Sequence, residues 1–390
     1  MREERLRAAR ALTRGPNSHW FGYYDKFPWD LTGRYLVCLE IDFPGTRPPR
    51  PEDAATIGLI DTAKENAWTP LARTHAWCWQ QGCMLHWLPT APDREILYNA
   101  RSERGDRFIS VIRNVFTGET RTLPRPVYAL SPDGRLSVSP NFSRLGRLRP
   151  GYGYVGVPEA DRDNPHPAND GIWAMDMATG DHKLVITYDQ IAHLRRDATM
   201  ENVGHWFNHL QFNTDGTRFV WLHRWKKPDG SWHTRMLTAR PDGSDIHIVA
   251  DHEMVSHFDW RDPRHILAWA RHNCFGDHFY LYTDQSIEME AVGADDLTQD
   301  GHCTYSPDRR WFISDTYPDR ERIRRLMLYH PAEKRLIVIG KYHEPPEFQG
   351  EWRVDLHGRW SRDGRQICFD AAHEGQRQLY VTDVADLVGG

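Results

Sequence analysis

Tyr128-Ala-Leu-Ser-Pro-Asp-Gly134 is a short apolar run closed by a tight-turn tetrad, and a second apolar run follows it. The same text returns in His209-Leu-Gln-Phe-Asn-Thr-Asp-Gly216, His302-Cys-Thr-Tyr-Ser-Pro-Asp308 and His357-Gly-Arg-Trp-Ser-Arg-Asp-Gly364. Weaker copies follow Tyr24, Met84 and His257. Asp and Gly suit a hairpin tip because the turn needs positive φ there. A strand–turn–strand unit recurring about every 43 to 82 residues, the longest spacing inflated by insertions, is the signature of a β-propeller. The reading is therefore all-β: one seven-bladed domain over residues 1–390, with blades starting near 24, 84, 127, 209, 257, 302 and 357. Six or eight blades, or two β-sandwiches, are the competing readings.

Blade 7 lacks a fourth strand, since little chain remains after Leu379-Tyr-Val-Thr-Asp383. The segment Leu6 to Thr13 precedes the first blade and has no other partner. It is expected to pair with the last blade and close the ring, which removes a free sheet edge.

The 390 residues carry a formal charge of −5, which argues against a nucleic-acid partner. No apolar run is long enough to span a membrane, so no membrane partner is expected. The N-terminus, Met1-Arg-Glu-Glu-Arg-Leu-Arg7, has no signal-peptide core, and the six cysteines show no paired framework, so a cytoplasmic setting is expected. The 16 Trp and 15 Tyr suit the flat interfaces between blades, and packing accounts for most of them.

Aligning the innermost strands on the apolar residue before the turn gives one ring position per blade. Three residues earlier the chain reads Tyr24, Met84, Val127, His209, His257, His302 and His357. Four consecutive blades thus aim a histidine at the channel mouth, although only 21 of 390 residues are His. The plain alternative is a set of channel-lining polar groups bonded to water.

His272 and Cys274 are two residues apart on blade 5, so on a strand both point to one side, near His257. With His209 they make a four-ligand set for a divalent metal; the thiolate favours zinc, with manganese or calcium as alternatives. A second set joins His302 and His357 with His209 or His257 and leaves an open coordination position. The carboxylates Asp42, Asp315 and Asp319 show no obvious partners.

The blade 3 insertion carries Arg144, Arg147 and Arg149 beside Tyr152 and Tyr154. Arginine forks bind carboxylates at two points. Blade 4 adds His223-Arg-Trp225, blade 2 adds Arg101, and the inter-blade links add Gln81 and His205. Arg101, Gln81, Arg144, Tyr154, His302 and His357 are the expected substrate contacts. A cationic, aromatic funnel on an acidic protein suits an acidic oligosaccharide.

Trp20-Phe-Gly-Tyr-Tyr-Asp-Lys-Phe-Pro-Trp29, Asn141-Phe-Ser-Arg-Leu145, Arg149-Pro-Gly-Tyr-Gly-Tyr154 and His357-Gly-Arg-Trp-Ser-Arg-Asp-Gly364 resemble the seven-bladed propeller polysaccharide lyases acting on uronic acids. That group includes oligogalacturonate lyase and the propeller-type ulvan and rhamnosyl-glucuronate lyases. The resemblance implies β-elimination: an Arg or a metal neutralises the uronate carboxylate, a His or Tyr takes the C5 proton, and a Tyr or His protonates the leaving oxygen. Tyr152, Arg149, Arg224 and His205 are the catalytic residues so implied. The chain departs from the group in lacking a His-x-His stretch for manganese. Gln81 and Arg101 stand where several related lyases place a histidine pair. A glycoside hydrolase or a non-catalytic glycan-binding propeller are the other functions weighed.

Overall fold

The computed structural model describes residues 2–389. Among them the strands form seven sheets in ring order. The innermost strands are Ser18–Trp20, His86–Trp87, Ala129–Leu130, His205–Phe212, Val255–Trp260, Thr304–Tyr305 and Arg359–Trp360. Six- and eight-bladed rings and paired sandwiches are thereby excluded. Blade 1 begins ahead of Tyr24, because Ser18–Trp20 already pairs with Tyr35–Ile41.

The repeated tetrad works by one hydrogen-bond pattern. In blades 3, 6 and 7, Ser131, Ser306 and Ser361 each donate to the Asp two residues on, all at 2.6 Å. Each Asp then accepts a backbone N–H beyond it, from Arg135, Arg310 and Arg365. The Ser hydroxyl also accepts from the backbone N–H five residues on, at the start of the returning segment: Leu136, Trp311 or Gln366. Three bonds per turn fix the hairpin register.

Ring closure follows the sequence reading. Arg10–Ala11 pairs antiparallel with Gln378–Asp383, in register Arg10 to Val381 and Ala11 to Tyr380. Leu12 N donates to Leu379 O, and Leu379 N donates to Thr13 Oγ1. One further strand was hidden by its charges. Arg2–Glu4 lies parallel to Arg335–His343 as a fifth strand of blade 6. Ion pairs from Glu3 to Arg335 (2.7 Å) and from Glu4 to Lys341 (2.6 Å) hold it there. So residues 2–13 lace two adjacent blades together.

The cores lie between blades and are rich in indole. Trp20, Trp77 and Trp79 pack mutually at 5.1–5.3 Å between ring centres. Nine tryptophans, Trp20 and Trp360 among them, are fully buried, so packing accounts for most of them. Trp232 stands out at 40% exposure.

Leu12 anchors the closing strand and is 3% exposed. Leu12→Ala should cost about 2–4 kcal/mol of stability, read as a lower urea midpoint. An unchanged midpoint would mean that the closing strand contributes nothing to the ring.

Candidate functional site

The top of the central channel gathers the ring residues. Phe207 to Gln211 contains an irregularity in which the pairing with blade 4's second strand shifts between Asn208 and Gln211, and His209 takes φ +54°. Blade 5 shifts likewise between Val255 and Phe258, on either side of His257. His357 has φ +45° and Met84, at the same ring position of blade 2, has φ +55°. A bulge turns one side chain out of the sheet's alternation, here into the channel. A left-handed backbone at a non-glycine residue costs about 1–2 kcal/mol, and such strain is concentrated at functional sites.

The four imidazoles meet. His257 and His302 ring centres are 3.9 Å apart, His302 and His357 4.2 Å, and His209 and His257 6.2 Å. Tyr23 and Tyr24 floor the cluster. Tyr23 stacks on His209 at 5.0 Å, and Tyr24 OH donates to Phe258 O while accepting from Phe258 N.

Asp315 orients the cluster. It accepts from His302 Nδ1 at 2.9 Å, from the His302 backbone N at 2.8 Å and from the His357 backbone N at 3.1 Å. A carboxylate can only accept, so the His302 proton sits on Nδ1 and Nε2 offers a lone pair. That Nε2 has no hydrogen-bond partner, and neither has His357 Nε2, both buried; Asp355 Oδ2, ion-paired to Arg353 Nη2 at 2.8 Å, lies close to both. His302, Asp355 and His357 each offer a ligand atom within 4.8 Å of the others. Buried polar atoms are almost always bonded, so two orphaned imidazole nitrogens beside an ionised carboxylate fit a cation. An N,N,O donor set with room for further ligands suits a divalent transition metal.

The charges agree. Burial alone would raise the pKa of Asp355, but Arg353 at 2.8 Å and Arg324 at 2.9 Å hold it well below the carboxylate range. Burial, aided by His302, holds His357 well below the ordinary histidine value, so it is a neutral ligand. Burial, followed by the neighbouring His302, also lowers His257, whose Nδ1 lies 3.0 Å from Asp300. Burial and then Arg224 push His209 well down.

Beside the cluster opens a cavity of about 270 Å³ walled by Arg149, Tyr152, His209, Arg224, His257, Asp300 and Tyr317. Asn141 caps the helix Phe142–Leu148 by accepting from Ser143 N and Arg144 N, and Arg149 stands at that helix's C-cap. The Arg149 guanidinium sits 4.7 Å from the Tyr152 ring and 4.6 Å from the Trp232 ring. Arg224 is held by Thr234 Oγ1 and Val255 O, and burial with Arg149 nearby lowers it to about 10. Tyr152 OH accepts from Arg353 Nη2 at 2.9 Å. A larger groove of about 700 Å³ involves Leu136, Lys183 and Arg218, but Arg218 is spent on Asp245 and Asp284, and none of the ring histidines lines it.

Arg149, Tyr152 and Arg224 thus share one cavity with His209 and His257. The remaining expectations fare differently. His205 is absent from the cavity wall: its Nδ1 is 2.8 Å from His223 Nε2, its Nε2 is 3.2 Å from Met200 O, and its ring stacks on His223. Arg144 is wholly buried, paired with Glu159 and donating to the His205 and Asn164 carbonyls, so it is framework. Tyr154 is buried against Phe142, with its OH accepting from Asn99. Arg101 donates to Pro51 O, away from the cavity. Gln81 does reach the cluster, donating to Tyr128 OH at 2.5 Å with His209 Nδ1 3.4 Å away.

His272 and Cys274 do not join His209 and His257. Cys274 is exposed at a hairpin, where its N donates to His272 Nδ1, and His272 packs against His252 and Phe275. The hairpin lifts both above the buried ring. Without the thiolate, the argument for zinc over other divalent ions lapses. Asp355 was missed. It sits two residues before His357, so Asp355-Leu-His357 is the carboxylate version of a His-x-His pair. Asp315 and Asp319 also have partners, the latter Arg325 at 2.8 Å.

No family model matches the sequence, and no curated protein matches it. Solved structures match the fold. An oligogalacturonate lyase from Vibrio parahaemolyticus aligns over 98% of this chain and 96% of its own, at 12% identity and a TM-score of 0.65. An oligogalacturonate lyase in complex with manganese aligns over 98% and 95%, at 14% identity and 0.66. The β-propeller domain of the Trilobed protease from Pyrococcus furiosus aligns over 90% and 92%, at 10% identity and 0.52. The chain therefore shares the propeller fold of these solved structures. Among the described residues no helix is long and apolar enough to cross a membrane.

Burial makes the molecule acid-sensitive. It holds His205 to about 4 and His86 to about 3, against about 6.5 when unfolded. Between those values the unfolded chain binds more protons than the native one, so stability rises with pH and is lost as pH falls below about 6.5. Each such group contributes about 1.4 kcal/mol per pH unit inside its window. Urea midpoints should drop steadily between about pH 7 and pH 4.5; a flat profile would show that these rings protonate as readily in the fold.

Proposed function

We propose that the chain is a lyase that cleaves a uronic acid-containing oligosaccharide by β-elimination. The observation that carries the reading is the shared cavity: two guanidinium groups, two phenols and a carboxylate-oriented neutral imidazole lie beside a buried N,N,O donor set. A C5 proton next to a neutral or charge-compensated carboxyl group is acidic enough to be removed; next to a free carboxylate it is not. Arg149 and Arg224 bind the uronate carboxylate and stabilise the charge that builds on it. His257 takes the C5 proton through Nε2, with its Nδ1–H donated to Asp300. The C4–O bond then breaks, and the Tyr152 phenol, bonded to Arg353, protonates the departing oxygen. The product carries a C4–C5 double bond.

His302, Asp355 and His357 would hold a divalent ion, which when bound would supply Lewis-acid compensation of the substrate carboxylate. The oligogalacturonate lyase solved with manganese supports a divalent ion of this kind, and the donor atoms here do not single out zinc. The protein's own part is to keep Asp355 ionised and His357 neutral, and to bury all three ligand atoms.

Mixing the protein and added manganese or zinc with oligogalacturonate and other oligouronides should give an ultraviolet-absorbing unsaturated product. His257→Ala should lower kcat about 10²- to 10⁴-fold, and Arg224→Gln about 10²- to 10³-fold. New reducing ends without ultraviolet absorbance would replace the reading with hydrolysis, and binding without product would replace it with recognition alone. Chelation should abolish turnover and Mn²⁺ restore it, with His302→Ala beyond rescue; full activity of the chelated protein would remove the metal from the scheme.

A further inference from the structure

A second group of metal-ligating side chains lies outside the channel, where blade 3's insertion meets its outer helix. We propose that His166, Asp189 and His193 form a separate binding site for a divalent ion of zinc type. Among the described residues they are the one other such group whose ligand atoms all fall within 4.8 Å of one another. Two rigid supports bring them together. The short helix Tyr188–His193 carries Asp189 and His193, one turn apart on one face, and is anchored by buried Tyr188, Ile191 and Ala192. His166 follows a backbone pinned from below: Arg144 donates to the carbonyls of Asn164 and Pro165, and His205 N donates to Pro165 O at 2.9 Å. His166 N is itself tied to Asn164 Oδ1.

The distances suit an ion. His166 Nδ1 is 2.9 Å, and His193 Nδ1 3.4 Å, from the same Asp189 Oδ1. Bonds of about 2.0–2.1 Å in a tetrahedron set ligand atoms about 3.3 Å apart. Small movements of two partly exposed rings therefore convert hydrogen bonds into metal bonds. His193 gives up its contact with the Asp189 carbonyl (2.8 Å) in the exchange. Two imidazoles and one carboxylate favour zinc, cobalt or nickel over calcium and magnesium, and leave a position for water. The ion would tie the insertion that delivers Arg149 and Tyr152 to the body of blade 3. The site shares the buried one's donor types but lies apart from it and is partly exposed, and it does not depend on the lyase reading.

The test is metal loading of the full, chelator-stripped chain with Zn²⁺ by calorimetry and with Co²⁺ by visible absorption. The wild type should bind an ion that the His166→Ala/His193→Ala variant does not, while His302→Ala still binds it. Asp189→Asn, which keeps the side chain's shape, should weaken this ion's binding by about tenfold or more. The same stoichiometry and affinity in the double variant and the wild type, or no ion outside the His302 site, would overturn the proposal.

Discussion

A single buried carboxylate organises the top of the channel. Asp315 takes N–H donors from the ring and backbone of His302 and from the backbone of His357, and so joins blades 6 and 7 at the point where they converge. Its acceptance of the Nδ1 proton leaves the other side of His302 as a lone pair. Without that bond the imidazole could turn, and the N,N,O set would lose its geometry. The nearby guanidiniums of Arg324 and Arg353 then become intelligible. They keep Asp355 ionised in a place where burial alone would protonate it.

The same desolvation that threatens Asp355 prepares the histidines. Burial penalises the charged form, so His209, His257 and His357 are neutral. Neutral imidazole is the form that binds metals and accepts protons. The ring that brings these histidines together is held closed by the N-terminal strands, which pair at the outer edges of blades 6 and 7.

The ring was legible in sequence because its turns are built by local bonds. Ser-x-Asp followed by a left-handed residue writes itself into the text, and the histidine at a fixed offset inherits that register. Closure was legible too, since a blade one strand short must borrow one. Arg2–Glu4 was not, because its support comes from ion pairs with residues more than three hundred positions away. The site was legible where the ring offset fixed it, as in His209, His257, His302 and His357, and illegible where partners came from elsewhere. Nothing local in Asp315 reveals that it bridges two blades. Cys274 and His272 share a strand face with the ring only if the strand stays low; it runs on into an exposed hairpin instead. His205 and Arg144 have the right chemistry, but spend it on each other's surroundings.

That last point bears on how the cavity gains its cations. Arg144 and Arg149 come from the same seven-residue helix and its cap, yet one is locked into a buried ion pair with Glu159 and the other faces the cavity. The locked arginine makes the other one useful. By fixing the Asn164–Pro165 backbone and the His205 carbonyl, Arg144 sets the helix's position, and the C-cap then presents Arg149 between the rings of Tyr152 and Trp232. An arginine held between two aromatic faces has little freedom left to lose when an anion arrives. The division of labour between framework and working cation is thus set by a single turn of helix.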